Sequence, residues 1–67
     1  MKNKVRELRK KQKLTQDELA ALIGISRQAI NAIEKEKFDP SLPTAFKLSE
    51  LFKISIEELF IFKSLYY

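Results

Sequence analysis

Residues 14–36, LTQDELAALIGISRQAINAIEKE, contain two short helical segments separated only by Gly24, Ile25 and Ser26. Thr15 and Glu18 form a capping box, in which each side chain satisfies a free amide near the start of the helix. Gly24 ends this helix because glycine adopts positive φ without a steric penalty, and Ser26 is a typical N-cap for the next helix. Two helices joined by so short a turn must cross at a steep angle, which predicts a helix-turn-helix.

Apolar residues recur at helical spacing within this motif and before it. The two helices of the motif, helices 2 and 3, are predicted to direct Leu19, Ala20, Leu22, Ile23, Ile30 and Ile33 inward. Helix 1 is predicted to run from Asn3 to Gln12, with Asn3 as its N-cap. The inner face of helix 1 is predicted to consist of Val5, Leu8, Arg9 and Gln12.

After the motif, Pro40 and its polar neighbours predict a loop. Helix 4 is expected to start near Ser41 because Pro43 is tolerated in a first turn. Its buried side is predicted to draw on Leu42, Ala45, Phe46, Leu48, Leu51 and Phe52. Ser55 and Glu58 form a second capping box, which starts helix 5. The sequence therefore predicts an all-α fold of five helices.

The composition excludes several classes of protein. The chain has no Cys and no His, which removes disulfides, the usual zinc ligands and the commonest general base. It has one glycine, and so no glycine-rich phosphate loop. We therefore expect no enzyme activity, no cofactor, no metal and no small-molecule ligand. No signal peptide or membrane-length apolar run is visible, so a cytoplasmic location without a membrane partner is expected.

The net charge of +4 is unevenly distributed along the 67 residues. Residues 1–13 contain seven Lys or Arg and one Glu, whereas residues 14–67 contain six Lys or Arg and eight acidic residues. This basic segment is either a solvated helix face or a surface that attracts a phosphate backbone. Composition alone leaves both interpretations open.

The outward face of helix 3 is polar and carries Arg27, Gln28, Asn31, Ala32 and Lys35. Gln28 can pair with adenine, Arg27 with guanine, and Ala32 can touch a thymine methyl group. Asn31 can bind bases or phosphates, and Gln16 at the start of helix 2 is placed for a phosphate contact. The alternative is that these residues are an ordinary solvated surface, because most helices have one polar face.

Several segments together resemble the Cro/cI-type helix-turn-helix family of phage and bacterial regulators. They are Leu14–Ala20, Ile25–Gln28, Ile30–Glu34, Phe38–Leu42 and Ile54–Phe60. The resemblance covers about residues 4–60 and implies the compact single-domain, five-helix, lambda-repressor-like fold. It also implies a homodimer that binds double-stranded DNA at an inverted-repeat operator, usually as a repressor.

The predicted DNA-binding set is Gln16, Ser26, Arg27, Gln28, Asn31, Ala32, Lys35 and Lys37. The resemblance places Gln16, Arg27, Gln28, Asn31 and Ala32 where the family reads DNA. It places Lys35 and Lys37 near the contacts to the DNA backbone. Ser26, the predicted N-cap of helix 3, completes the set.

Arg9 and Glu34 are charged residues on the inward sides of their helices. Such charges are tolerated when they pair, because an unpaired buried charge is costly. The resemblance places a structural ion pair between helices 1 and 3 at these positions. The alternative is that both stems pack while both charged groups reach solvent.

Glu36 departs from the family pattern, which commonly has Gly or Asn after helix 3. If the turn keeps positive φ, Glu36 is strained by roughly 1 kcal/mol. If the turn has another shape, the predicted contacts of Lys35 and Lys37 are in doubt.

The C-terminal segment is rich in apolar residues, namely Phe60, Ile61, Phe62, Leu65, Tyr66 and Tyr67. We expect one domain over residues 1–67, with the helix-turn-helix at about 15–36 and a dimerisation segment at about 55–67. A two-fold dimer would bury this apolar surface and add to a small core. The alternative is that a monomer folds part of the segment onto helix 1. The conformation of residues 61–67 is not predicted.

The predicted function is a sequence-specific transcriptional regulator. The main alternative is an interaction module, such as an antitoxin or anti-activator, in which the same fold chiefly holds a protein partner. RNA binding is less favoured because the outward face of helix 3 has no aromatic side chains on which bases could stack.

Overall fold

A computed structural model of the chain describes residues 1–62. Within that range the chain forms five helices and two short strands: β1 Lys2–Asn3, α1 Val5–Lys11, α2 Gln16–Ile23, α3 Arg27–Glu34, α4 Leu42–Phe52, α5 Ile56–Leu59 and β2 Phe60–Ile61. The predicted five-helix fold is confirmed. No helix in this range is long and apolar enough to cross a membrane.

Hydroxyl side chains start four of the five helices. Thr15 and Ser55 each form the predicted capping box. The Ser26 hydroxyl accepts a hydrogen bond of 3.0 Å from the Ala29 amide, and Ser41 caps α4. These interactions span three residues, so the sequence alone specifies where these helices begin.

Helix α1 begins later than predicted. Its N-cap is Lys4, which makes no capping hydrogen bond with its side chain. Asn3 instead lies in β1, where its Oδ1 accepts a hydrogen bond of 3.1 Å from the Val5 amide. Its Nδ2 donates to the Ile33 carbonyl at 2.9 Å, which ties the first strand to the end of α3.

The two strands bring together the beginning and the end of the described chain. Lys2 is opposite Ile61 and Asn3 is opposite Phe60 in an antiparallel pair. The Lys4 amide extends this pairing by donating to the Leu59 carbonyl at 3.0 Å. Neither strand was predicted, because a two-residue strand has no periodicity and depends on its distant partner.

The core lies between the helices and is closed by β2. Its buried apolar residues are Val5, Leu19, Ala20, Ile23, Ile30, Ile33, Ala45, Leu48, Phe52, Leu59 and Phe60. Four side chains predicted to face inward are exposed instead, namely Gln12, Leu22, Leu42 and Phe46. Gln12 follows the last residue of α1, and the three apolar side chains are not covered by any element among residues 1–62.

Candidate nucleic-acid interface

Helix α3 has one buried face and one accessible face. Ile30 and Ile33 are completely buried against the core. Arg27 and Gln28 are exposed, and Asn31 and Ala32 are half-buried. The helix therefore offers polar side chains to a ligand without uncovering its apolar side.

Gln16, Arg27, Gln28 and Asn31 line one shallow depression on this surface. Its residues come from the first turn of α2 and the first five residues of α3. The short turn between these helices brings the two starts together. The structure thus brings together side chains that the sequence separates by up to 15 positions.

Arg9 and Glu34 form a buried ion pair between α1 and α3. Arg9 Nε lies 2.6 Å from Glu34 Oε2, and Arg9 Nη2 lies 3.1 Å from Glu34 Oε1. The exposed fractions of the two side chains are 11% and 3%. Arg9 Nη1 also donates to the Leu14 carbonyl at 2.7 Å. The guanidinium therefore holds the carboxylate with two hydrogen bonds and the start of the motif with a third.

The hydrogen bond to Glu34 raises the pKa of Arg9, burial lowers it, and the charge of Glu34 raises it further, with a net increase. Because the pKa of Arg9 is raised in the folded chain, deprotonation of Arg9 removes this stabilisation only as the pH rises through the folded-state pKa, above that of a free arginine. Arg9 is therefore charged throughout the physiological range.

Gln16 connects this ion pair to the accessible face of α3. Its Nε2 lies 3.1 Å from Glu34 Oε1 and 3.3 Å from Asn31 Oδ1. Gln16 and Asn31 are both half-buried. The amide of Gln16 is thus already held by protein acceptors in the free chain.

Glu36 adopts the positive φ that the turn after α3 requires. Its φ is 62°. The Glu36 amide donates to Ile33 O and the Lys37 amide to Ala32 O, both at 3.0 Å, which are the two hydrogen bonds of a Schellman motif. The turn keeps the left-handed shape although it has no glycine, and it leaves Lys35 and Lys37 exposed.

Arg6 belongs to the same surface, although we did not single it out from the sequence. It lines a cleft with Gln16, Asn31 and Lys35 whose floor includes the Arg9–Glu34 pair. Lys2, Lys4, Lys10, Lys11 and Lys13 are also exposed. The basic bias of residues 1–13 was the available signal, but it could not distinguish Arg6 from its neighbours.

The apolar C-terminal segment is divided between the core and the surface. Phe60 is 7% exposed and packs in the core of the single chain, so its predicted place in a dimer contact is corrected. Ile61 is half-buried, and Phe62 is 67% exposed. The predicted dimer residues Leu65, Tyr66 and Tyr67 lie outside the described residues.

A sequence model described as helix-turn-helix matches residues 5–59, which include all five helices. The chain belongs to the Cro/cI-type helix-turn-helix family. Proteins of this family bind DNA and regulate transcription, and it is not a family of enzymes.

Relatives of similar length support this assignment. The chain is 51% identical over 63 residues to an HTH-type transcriptional regulator of Methanocaldococcus jannaschii, covering 94% of this chain and 96% of that protein. It is 42% identical over 60 residues to the HTH-type transcriptional regulator YgzD of Bacillus subtilis, covering 90% and 91%. Both alignments span nearly the whole of each chain.

A solved structure agrees with the fold. The restriction-modification controller protein C.AhdI from Aeromonas hydrophila superposes with a TM-score of 0.75 at 35% identity, covering 85% of this chain and 86% of that one. The lambda-repressor-like arrangement of helices is therefore shared with that protein.

Proposed function

We propose that this protein is a sequence-specific repressor that binds an inverted-repeat operator in double-stranded DNA as a homodimer. Helix α3 enters the major groove and reads base edges. The DNA-facing set is Ser26, Arg27, Gln28, Asn31, Ala32, Lys35 and Lys37, with Gln16 beside it. The accessible polar face of α3, opposite the fully buried Ile30 and Ile33, is the observation that carries this proposal.

The side chains on this face suit different parts of the DNA. Arg27 and Gln28 are exposed on the first turn of α3, where a docked helix places side chains against bases. Ala32 is small enough to allow close approach. Lys35 and Lys37 follow at the end of the helix, where flexible cations suit phosphates.

The exposed cations of α1 add a contribution to DNA affinity that does not depend on the DNA sequence. Arg6 shares a cleft with Asn31 and Lys35, so a duplex held by α3 lies within reach of α1. Each phosphate that a cation neutralises releases counterions, which makes binding weaken with added salt. Replacing Arg6 with Gln should therefore weaken binding to all duplexes alike and reduce the salt slope by about one.

The proposal of a homodimer follows from the size of the reading element. Helix α3 has eight residues and contacts only a few base pairs. A two-fold axis that repeats the contact gives an operator of two half-sites, about 10 base pairs apart. Phe62, the residue after β2, is an exposed aromatic residue that a second copy can cover.

Selection of bound sequences from a random duplex library tests the proposal directly. We expect an inverted repeat, together with affinity that falls steeply as salt is added. Binding that ignores sequence would contradict a specific operator.

Three exposed apolar side chains favour a second candidate function. Leu22, Leu42 and Phe46 are 60%, 65% and 51% exposed. An antitoxin or anti-activator would use such side chains to hold a protein partner. Tight one-to-one binding of a protein, with no preference among duplexes, would favour this alternative.

A further inference from the structure

A continuous chain of hydrogen bonds runs from the buried ion pair to the accessible face of α3. Arg9 donates to both oxygens of Glu34, at 2.6 and 3.1 Å. Gln16 Nε2 donates to the same Glu34 Oε1 at 3.1 Å and to Asn31 Oδ1 at 3.3 Å. The chain therefore begins at a fixed charge in the core and ends at a residue of the proposed DNA-binding face.

The chemistry of the two charged groups sets the direction of every bond in this chain. A guanidinium only donates hydrogen bonds, and an ionised carboxylate only accepts them. Glu34 must therefore receive an N–H from Gln16, which turns the Gln16 amide nitrogen inward. The second proton on that nitrogen is then available only for an acceptor, which is Asn31 Oδ1.

The opposite orientations of the two amides are unfavourable. Rotating the Gln16 amide would place its oxygen 3.1 Å from the Glu34 carboxylate, where two acceptors repel. Rotating the Asn31 amide alone would bring two NH₂ groups together at 3.3 Å. Amide orientation is normally deduced from the hydrogen-bond network, and here one carboxylate determines both amides.

We propose that Asn31 contacts DNA only as a hydrogen-bond donor, and that Gln16 is a positioning residue that fixes the orientation of the Asn31 amide. This inference rests on the proposed function. With its oxygen directed inward, Asn31 presents only Nδ2 outward. It therefore binds an acceptor, either a phosphate oxygen or a base edge with one, and it rejects the cytosine edge, which offers only a donor in the major groove.

The same arrangement changes the role of Gln16. Both of its amide protons are engaged by Glu34 and Asn31. A phosphate oxygen accepts hydrogen bonds only, so the Gln16 side chain has no remaining donor for it. The Gln16 side chain therefore supports the interface through Asn31 and does not itself hold a phosphate.

The free protein provides the first test, which needs no DNA. Side-chain amide exchange with water, followed by NMR, should be slow for Gln16 and fast for Asn31. Gln16→Met keeps the length of the side chain but removes its donors, and it should shift the Asn31 amide resonances. Gln12→Met makes the same change at an exposed residue and should leave them unchanged. Slow exchange at Asn31 with fast exchange at Gln16 would overturn the proposed orientation.

Binding to the selected duplex provides the second test. Asn31→Ala removes the donor and should weaken binding roughly two- to tenfold. Asn31→Asp keeps an acceptor for Gln16 but turns a carboxylate oxygen outward, so it should bind more weakly than Asn31→Ala. An Asp variant that binds at least as well as the Ala variant would refute the donor role.

The Gln16→Met variant separates positioning from direct contact. It should relax the preference at the base pair read by Asn31 roughly two- to tenfold and leave the position read by Gln28 unchanged. If Asn31 binds a phosphate, Gln16→Met should lose affinity equally on all duplexes, but adding it to Asn31→Ala should cost nothing more. Additive losses would overturn the positioning role. A wild-type protein that binds no duplex refutes the proposed function. The exchange measurement on the free protein still tests the hydrogen bonds among Glu34, Gln16 and Asn31.

Discussion

Arg9 and Glu34 show how a charge is accommodated in a core of this size. Removing two charges from water costs several kcal/mol, which their attraction offsets only with good geometry and further hydrogen bonds. The pair has two direct hydrogen bonds, and Leu14 and Gln16 supply one more to each partner. We infer that the pair orders α1 against α3 more than it stabilises the fold.

The cost of breaking this pair is the first prediction. Arg9→Ala should lower the free energy of unfolding by about 3 kcal/mol, because it leaves the buried Glu34 carboxylate without its counter-charge. Replacing Arg9 with Met and Glu34 with Leu together should recover much of the loss. Thermal and denaturant melts measure both. An Arg9→Ala protein as stable as the wild type would show that the pair is solvated.

Glu36 is the second residue for which the structure predicts a measurable effect. Its φ of 62° places a Cβ in the left-handed region, which costs a residue other than glycine about 1 kcal/mol. Glu36→Gly should therefore raise the free energy of unfolding by roughly 0.5–1 kcal/mol.

Glu36→Ala is the matched control, because it removes the carboxylate but keeps the Cβ. It should leave stability nearly unchanged. Equal stabilisation by Gly and Ala would show that the carboxylate, not the backbone, was unfavourable.

At the scale of elements, α2 and α3 have different structural roles in the motif. Helix α2 starts with a capping box and buries Leu19, Ala20 and Ile23. Helix α3 buries Ile30 and Ile33 and leaves its other face to solvent. The turn at Gly24, whose φ is 86°, joins them. The first helix thus anchors the second at a fixed angle.

Gln28 tests whether α3 reads bases. Gln28→Ala should cost roughly 1–3 kcal/mol of binding free energy on the preferred duplex and relax the preference at one base position. Its folding should be unaffected, because the side chain is exposed. Competition binding with variant duplexes measures the effect. An equal loss on specific and random duplexes would mean that Gln28 makes no base contact.

At the scale of the whole molecule, the pairing of β1 with β2 decides which residues of the C-terminal segment the fold of the single chain uses. Phe60 is committed to the core, and Ile61 to the strand pair. Residues from Phe62 onward are therefore the part of the segment to remove when the dimer is tested. A shorter chain ending at Phe60 would also lose the pairing of Ile61 with Lys2.

Truncation after Ile61, which removes the exposed Phe62 but keeps β2, is the prediction at this scale. The shortened chain should fold and be monomeric at micromolar concentration. It should bind the full inverted repeat much more weakly than the full-length chain does. Sedimentation of both chains, with circular dichroism as the control for folding, measures this. A full-length chain that remains monomeric at high concentration without DNA would refute the homodimer.

The features that were predictable from the sequence depend on residues close together in the chain. Thr15, Ser26 and Ser55 start their helices through hydrogen bonds to amides three residues away, and Gly24 ends α2 through its own backbone freedom. Helical periodicity identified most of the core for the same reason, since it reports which side of a single helix is apolar.

Only the tertiary structure could decide features that depend on distant neighbours. Leu22, Leu42 and Phe46 fit a helical apolar face but are exposed, because no other element of residues 1–62 packs over them. The pairing of Lys2 with Ile61 and the hydrogen bonds that orient Asn31 join residues 59 and 15 positions apart. A propensity describes what a segment favours alone, whereas burial, strand pairing and the direction of a hydrogen bond depend on the partner that folding brings into contact.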